Sequence, residues 1–166
     1  MKDKIHQLYQ KMTEYYSGDP KRIQHFVKVH SFAKQIGISE QLDNDTMFVL
    51  EVAALVHDIG IKPAEEKYGS CSGKLQEQEG PAAAEAMLLS LGFPRKYLDR
   101  ICYLVGHHHT YHDIDGIDYQ ILVEADYLVN LYEDQCSPEG IKAAYQNIFR
   151  TGSGKLLCRT IYGIIL

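Results

Sequence analysis

Apolar residues return along this chain every three or four positions rather than every two. Ile5, Leu8, Tyr9, Met12 and Tyr16 make one stripe over Lys2–Tyr16, the spacing of an amphipathic helix. Asp19-Pro20 reads as a helix start, with Asp as N-cap and Pro at the first position, and this second helix runs to about Ile36 with Gly37 as its stop. Leu42–Asn44 offers a cap for a third helix, from Asp45 to about Asp58, ended by Gly60. Pro63–Gly69 reads as one short helix, Gly69–Gly80 as a polar loop or frayed helix, and Pro81–Leu91 as an Ala-rich helix stopped by Gly92 and Pro94. Helices are expected over Arg95–His108, over Ile117–Tyr132, and from a Ser137-Pro138 cap to Phe149. A turn over Thr151–Gly154 leads into a last helix, Lys155–Leu166. No segment alternates with period two for long enough to propose a strand, so the expected fold class is all-α.

Composition narrows the partners. A chain of 166 residues with 45% hydrophobic and 23% charged positions is ordinary globular material for one domain. The expectation is a single helical domain over 1–166, with its core motifs within 20–132 and helices of 138–166 packed on it. Lys+Arg number 17 against 22 Asp+Glu, a net charge of −5, which argues against a nucleic-acid polymer as partner. The longest apolar runs fall well short of the ~20 residues a membrane span needs. Met1–Gln7 carries no apolar core of a secretory signal, so a cytoplasmic chain with no membrane partner is expected. Cys71, Cys102, Cys136 and Cys158 form no CxxC pair and read as reduced thiols. The 12 tyrosines suit half-buried bundle surfaces or a homodimer contact.

The candidate chemistry centres on His57-Asp58, at the end of the apolar run Phe48–Val56 and just before Ile59-Gly60. Two polar residues there are costly to bury unless they are paired or ligate a metal. Adjacent residues on a helix point ~100° apart, so both face one ion most easily where the helix ends. His25 lies upstream on an apolar helix beside Val29, Phe32, Ala33 and Ile36. Asp126 lies downstream among Leu122, Val123, Val129 and Asn130. Three helices thus each offer a nitrogen or a carboxylate, and two imidazoles with two carboxylates suit a borderline divalent ion: Mn, Fe, Co, Ni or Zn, with Mg as a further option. His30 competes with His25 for the first position. Periodicity favours His25, because Lys34 places the His30 side of the helix toward solvent.

His25, His57-Asp58 and Asp126, in that order on separate helices, resemble the HD superfamily of metal-dependent phosphohydrolases. The resemblance runs over roughly His25–Leu131 and rests on three segments: His25 followed by Val29 and Ala33, Ala53–Gly60, and Glu124–Leu128. It implies a helical bundle holding one divalent metal through His25, His57, Asp58 and Asp126, and hydrolysis of a small-molecule phosphate ester, often a nucleotide. Asp58 would serve both as ligand and as proton acceptor for the attacking water. A non-hydrolytic, nucleotide-sensing module with the same site is the alternative.

Leu104–His108 is similar to the segment with which some HD proteins bind a second metal or a phosphate, which makes His107 and His108 candidates for that role. Dinuclear members carry a further His before the Gly-rich start of the Ala helix. Glu79 stands before Gly80-Pro81 here; its carboxylate can ligate, which keeps it a candidate for the second metal, but it departs from the two-metal pattern. Residues 115–119 also lack the GYP signature of the cyclic-dinucleotide enzymes. Lys62 is expected to reach a substrate phosphate from the rim, with Lys74 as a weaker candidate from the polar loop. Glu51 either orients a metal ligand or lies exposed. His109 and His112 are read rather as part of a cationic helix C-terminus, which the helix dipole favours. Thr151–Lys155 looks like a phosphate-binding loop but lacks the first Gly, the Ser/Thr after Lys and a preceding strand, so it is read as a turn. Asp113, Asp115 and Asp118 are read as a solvated connection rather than a calcium loop.

Overall fold

The apolar stretch Phe48–Val56 is buried along its whole length. A helix with no solvent face needs neighbours on every side, and the remaining helices supply them. The computed structural model describes residues 1–165, apart from the side chain of Lys2. Among the described residues there are nine α-helices and no strand: α1 (Lys2–Tyr15), α2 (Pro20–Ser39), α3 (Asn44–Val56), α4 (Ile61–Tyr68), α5 (Gly73–Ser90), α6 (Arg95–Val105), α7 (Ile117–Glu133), α8 (Pro138–Asn147) and α9 (Gly152–Tyr162). Leu166, the end of the expected last helix, lies outside the described residues. No described helix is long and apolar enough to cross a membrane.

Helices α1, α2, α6 and α7 all pack on α3, and α2 also packs on α7. The helices that carry His25 and Asp126 are therefore neighbours of each other and of the helix that ends at His57. On the other flank α5 lies against α4 and α6, while α9 packs on α7, α8 and α2. One continuous apolar core runs from Leu8 and Met12 of α1 to Phe149 and Cys158 near the C-terminus.

The helix starts follow from local chemistry. Asp19 accepts from the Arg22 amide ahead of Pro20, Asp43 accepts from Asp45 N and Thr46 N, and Ser137 accepts from Gly140 N.

Several boundaries differ from the sequence reading; α6, for one, stops at Val105 rather than His108, and α8 at Asn147 rather than Phe149. Helix α2 runs through Gly37 to Ser39. That glycine is a contact point, since a Cβ on it would stand 2.8 Å from Met47 Cε. Helix α5 begins at Gly73 and includes Pro81 in its interior, so most of the expected loop is helical. Tertiary contacts hold it: Gln76 donates to Cys71 O at 2.8 Å, and Glu77 accepts from His109 N at 2.9 Å. Helix α9 begins at Gly152, capped by Thr151, which accepts from Gly154 N at 2.9 Å. Gly154 is there because a Cβ would collide with the buried Glu124 carboxylate, whose Oε1 accepts from both Arg150 N and Thr151 N at this turn. Asp118 is also less solvated than expected: it is buried and pairs bidentately with Arg100.

Candidate metal centre

His57 keeps helical backbone angles at the end of α3, and His57–Gly60 forms a turn that leads into α4. Gly60 has φ −69°, so its freedom at positive φ is not what ends the helix. It permits contact instead: a Cβ there would lie 2.4 Å from Gln76 O and 2.8 Å from Gly80 N. The turn is thus seated directly against the α5 backbone. From the other side Tyr16 donates its hydroxyl to Asp58 O at 2.7 Å.

Four side chains converge at this turn. His25 Nε2 lies 3.2 Å from His57 Nε2, 3.4 Å from Asp58 Oδ2 and 3.2 Å from Asp126 Oδ1. His57 Nε2 is 3.5 Å from Asp58 Oδ2 and 3.7 Å from Asp126 Oδ1. His25, His57 and Asp58 offer three ligand atoms all within 4.8 Å of one another. The second Asp58 oxygen faces elsewhere: Oδ1 is 3.3 Å from His108 Nε2, and Asp58, His108 and His109 form a second such triad.

The outward-facing nitrogens decide what this cluster can hold. His57 Nδ1 lies 2.9 Å from Ala54 O, and His108 Nδ1 lies 2.8 Å from Val105 O. A carbonyl can only accept, so both rings carry their proton on Nδ1. His25 Nδ1 donates to Glu133 Oε2 at 2.9 Å. In the neutral rings all three Nε2 atoms therefore present lone pairs, and they aim them at carboxylate oxygens and at one another. His108 Nε2 and Asp126 Oδ1 are buried with no hydrogen-bond partner. An array of acceptors without donors is unstable unless a cation or extra protons sit among them. The donors are imidazole nitrogens and carboxylate oxygens, so the residues fit a borderline divalent ion.

The charges respond to the same crowding. Burial works against an imidazolium at His25, yet Asp126, Asp58 and Glu133 outweigh it and raise the pKa to about 9. Burial would raise the Asp58 carboxyl, but His57, His108 and His25 hold it well below the usual carboxylate range. Asp126 is held low against its burial by His25 and His57. His109 goes the other way: burial and then the neighbouring His108 push it down to about 4.

The HD domain family matches residues 22–144. The chain belongs to the HD domain family. The structure is similar to the crystal structure of a predicted HD superfamily hydrolase from an uncultured Thermotogales bacterium. The TM-score is 0.65 at 22% identity, covering 98% of this chain and 85% of that one. At that identity the likeness speaks to the fold. No curated protein matches the chain.

Around the HD turn the other candidates fall differently. His30 is not at the centre. It bonds Glu51 Oε2 at 3.0 Å, and Lys34 reaches the same oxygen at 2.9 Å. Glu51 is thus neither exposed nor an orienter of a ligand, but a buried acid neutralised by α2. His107 turns away, with Nδ1 donating to Tyr103 O at 2.7 Å and its ring stacked on Tyr103. Glu79 does not line the cleft and is instead bonded to Lys67, Tyr68 and Gln78. On α5 it is Gln76 and Glu77 that meet the His109 turn: Gln76 Oε1 accepts from His109 Nε2 at 3.1 Å and Glu77 Oε1 from His109 N at 2.9 Å. Lys62 lies exposed in a neighbouring groove, its Nζ over the Tyr15 ring at 5.0 Å. Lys74 is exposed and does not line the cleft.

The sequence reading missed Arg22, Lys21 and Glu133, which line the cleft that opens on His25 and Asp58. Arg22 stands one turn before His25 on α2, a spacing that could have flagged it. Glu133 had no such signal, since its relation to His25 spans 108 positions.

Proposed function

We propose that the chain is a metal-dependent phosphohydrolase acting on a small phosphate ester, with nucleotides as the first class to test. The convergence of the His25, His57 and His108 lone pairs on Asp58 and Asp126 carries this reading. His25, His57, Asp58 and Asp126 would hold the ion. A second ion would draw on Asp58 Oδ1, His108 and His109. A divalent ion bound there supplies Lewis acidity, which polarises a phosphoryl oxygen and brings the pKa of water from 15.7 toward ~7.

The protein's own groups supply the rest. Asp58 has an oxygen on each triad, is anionic throughout the neutral range and can take the proton of the attacking water. The cleft above it measures about 280 Å³, just under the ~300–1,000 Å³ usual for ligand sites. That size favours a compact ester over a polymer. Lys21 and Arg22 line its wall and can neutralise phosphate charge. Arg22 is held in place by Asp19 at 3.3 Å and Glu65 at 2.5 Å.

The test is metal content of protein purified without chelator, followed by turnover of aryl phosphate mono- and diesters and a nucleotide panel. Mn²⁺, Co²⁺, Zn²⁺ and Mg²⁺ are each added back in turn. Turnover that chelation abolishes and one of these ions restores is expected. Absence of both bound metal and metal-restored turnover overturns the proposal. Nucleotide binding without turnover, lost in Asp58→Ala, would replace it with the sensing role.

A further inference from the structure

The three buried imidazoles are not anchored alike. His57 and His108 each give Nδ1–H to the carbonyl three residues earlier on their own helix, Ala54 and Val105. Those anchors move with the ligand. His25 is anchored by a side chain from a different helix, Glu133 of α7. Glu133 lies seven residues after Asp126, on the same helical face, so one stripe of α7 carries both a centre carboxylate and the group that holds His25. A carboxylate in the last turn of a helix opposes the helix dipole. Here Lys28 of α2, one turn after His25, bonds its other oxygen. Lys28 and the His25 ring together keep Glu133 anionic despite partial burial. Glu133 also lines the cleft, whereas Ala54 and Val105 do not.

We infer that Glu133 is the positioning residue of the centre. By accepting the Nδ1 proton of His25 it fixes the tautomer and ring orientation that present Nε2 to the metal, and Lys28 holds it in register. This rests on the metal-binding reading above. A carboxylate behind a metal-binding histidine generally strengthens binding about 10–100-fold, and here that gain depends on the docking of α2 against α7.

The experiment compares Mn²⁺ affinity by equilibrium dialysis in wild type, Glu133→Ala and Glu133→Gln, at a temperature where circular dichroism shows all three metal-free proteins folded. Glu133→Ala should bind about 10–100-fold more weakly. Glu133→Gln keeps an acceptor oxygen and should fall between the two; it decides the matter if the alanine variant does not fold. In Zn²⁺-loaded, ¹⁵N-histidine-labelled protein, the His25 Nδ1 proton should be protected from exchange in wild type and exposed in Glu133→Ala. Affinity within threefold of wild type in the folded variants, or an equally protected Nδ1 proton, overturns the positioning role alone. A wild type that binds no divalent ion overturns this inference and the metal reading together.

Discussion

The Nε2 atoms of His25 and His57 face each other across 3.2 Å, each ring having already committed its Nδ1 proton to another acceptor. Two lone pairs in that position repel unless something positive lies between them. In metal-free protein a proton on His25 can supply that charge, and Asp126, Asp58 and Glu133, which raise its pKa to about 9, favour it. In loaded protein it would be the ion.

Metal should therefore stabilise the fold. An ion that binds only the native state at about 100 times its dissociation constant adds ~2.7 kcal/mol. For a chain of this size that is a rise in Tm of about 5–10 °C. Differential scanning fluorimetry with chelator and with Mn²⁺ should show it, and His57→Ala should melt at the same temperature in both.

The pH dependence of the chelated protein should betray the same proton. The His25 pKa goes from 6.5 unfolded to about 9 folded. Below 6.5 both states are protonated and the pairing with Asp126 and Asp58 contributes fully. As pH rises from 6.5 to 9 the unfolded chain loses the proton that the fold retains, and stability drops by up to about 3 kcal/mol. Burial raises the Cys102 and Cys158 thiols from 9 to about 11, so their contribution begins only at the top of this window. Urea midpoints at pH 6 and pH 9 in chelator should differ accordingly, and His25→Asn should remove most of the difference.

Tyr16 stands outside the stretch matched by the HD family, yet its hydroxyl holds the Asp58 carbonyl at 2.7 Å from a buried position. Tyr16→Phe leaves the ring packed and deletes one hydrogen bond, about 1 kcal/mol. Turnover should fall severalfold with little change in KM, because the turn that aims Asp58 loosens while the cleft wall stays. Equal kinetics in the two proteins would show that the turn is held by the Gly60–Gly80 contact alone.

That contact has its own test. Gly60→Ala drives a Cβ into the backbone of Gln76 and Gly80, and neither can move without shifting α5. A loss of about 3 kcal/mol or more is expected. Gly69→Ala is the comparison. Its φ of 64° penalises a side chain, but no atom lies within 4 Å, so about 1 kcal/mol is expected. Chemical denaturation of the two variants should rank them in that order.

Much of this protein was legible in one dimension. Helical periodicity and caps such as Asp19-Pro20 and Ser137-Pro138 specify an all-α chain, because each needs contacts only a few residues apart. Burial of a polar pair after Phe48–Val56 pointed to His57-Asp58 for the same reason: a local apolar context makes a local polar residue conspicuous. What the pattern left open turns on contacts between distant helices. The extent of α5 depends on Gln76 and Glu77 meeting the His109 turn. The choice between His25 and His30 depends on which of them faces α7 and which meets Glu51 of α3. His108 and His109, rather than His107, lie at the Asp58 end because Gly106 closes α6 and turns the chain there. The Glu133–His25 bond joins two helices that only packing brings together, and no periodicity on either could report it. Side-chain spacing along a helix fixes direction relative to that helix alone; the partner across the gap is decided by how the helices dock.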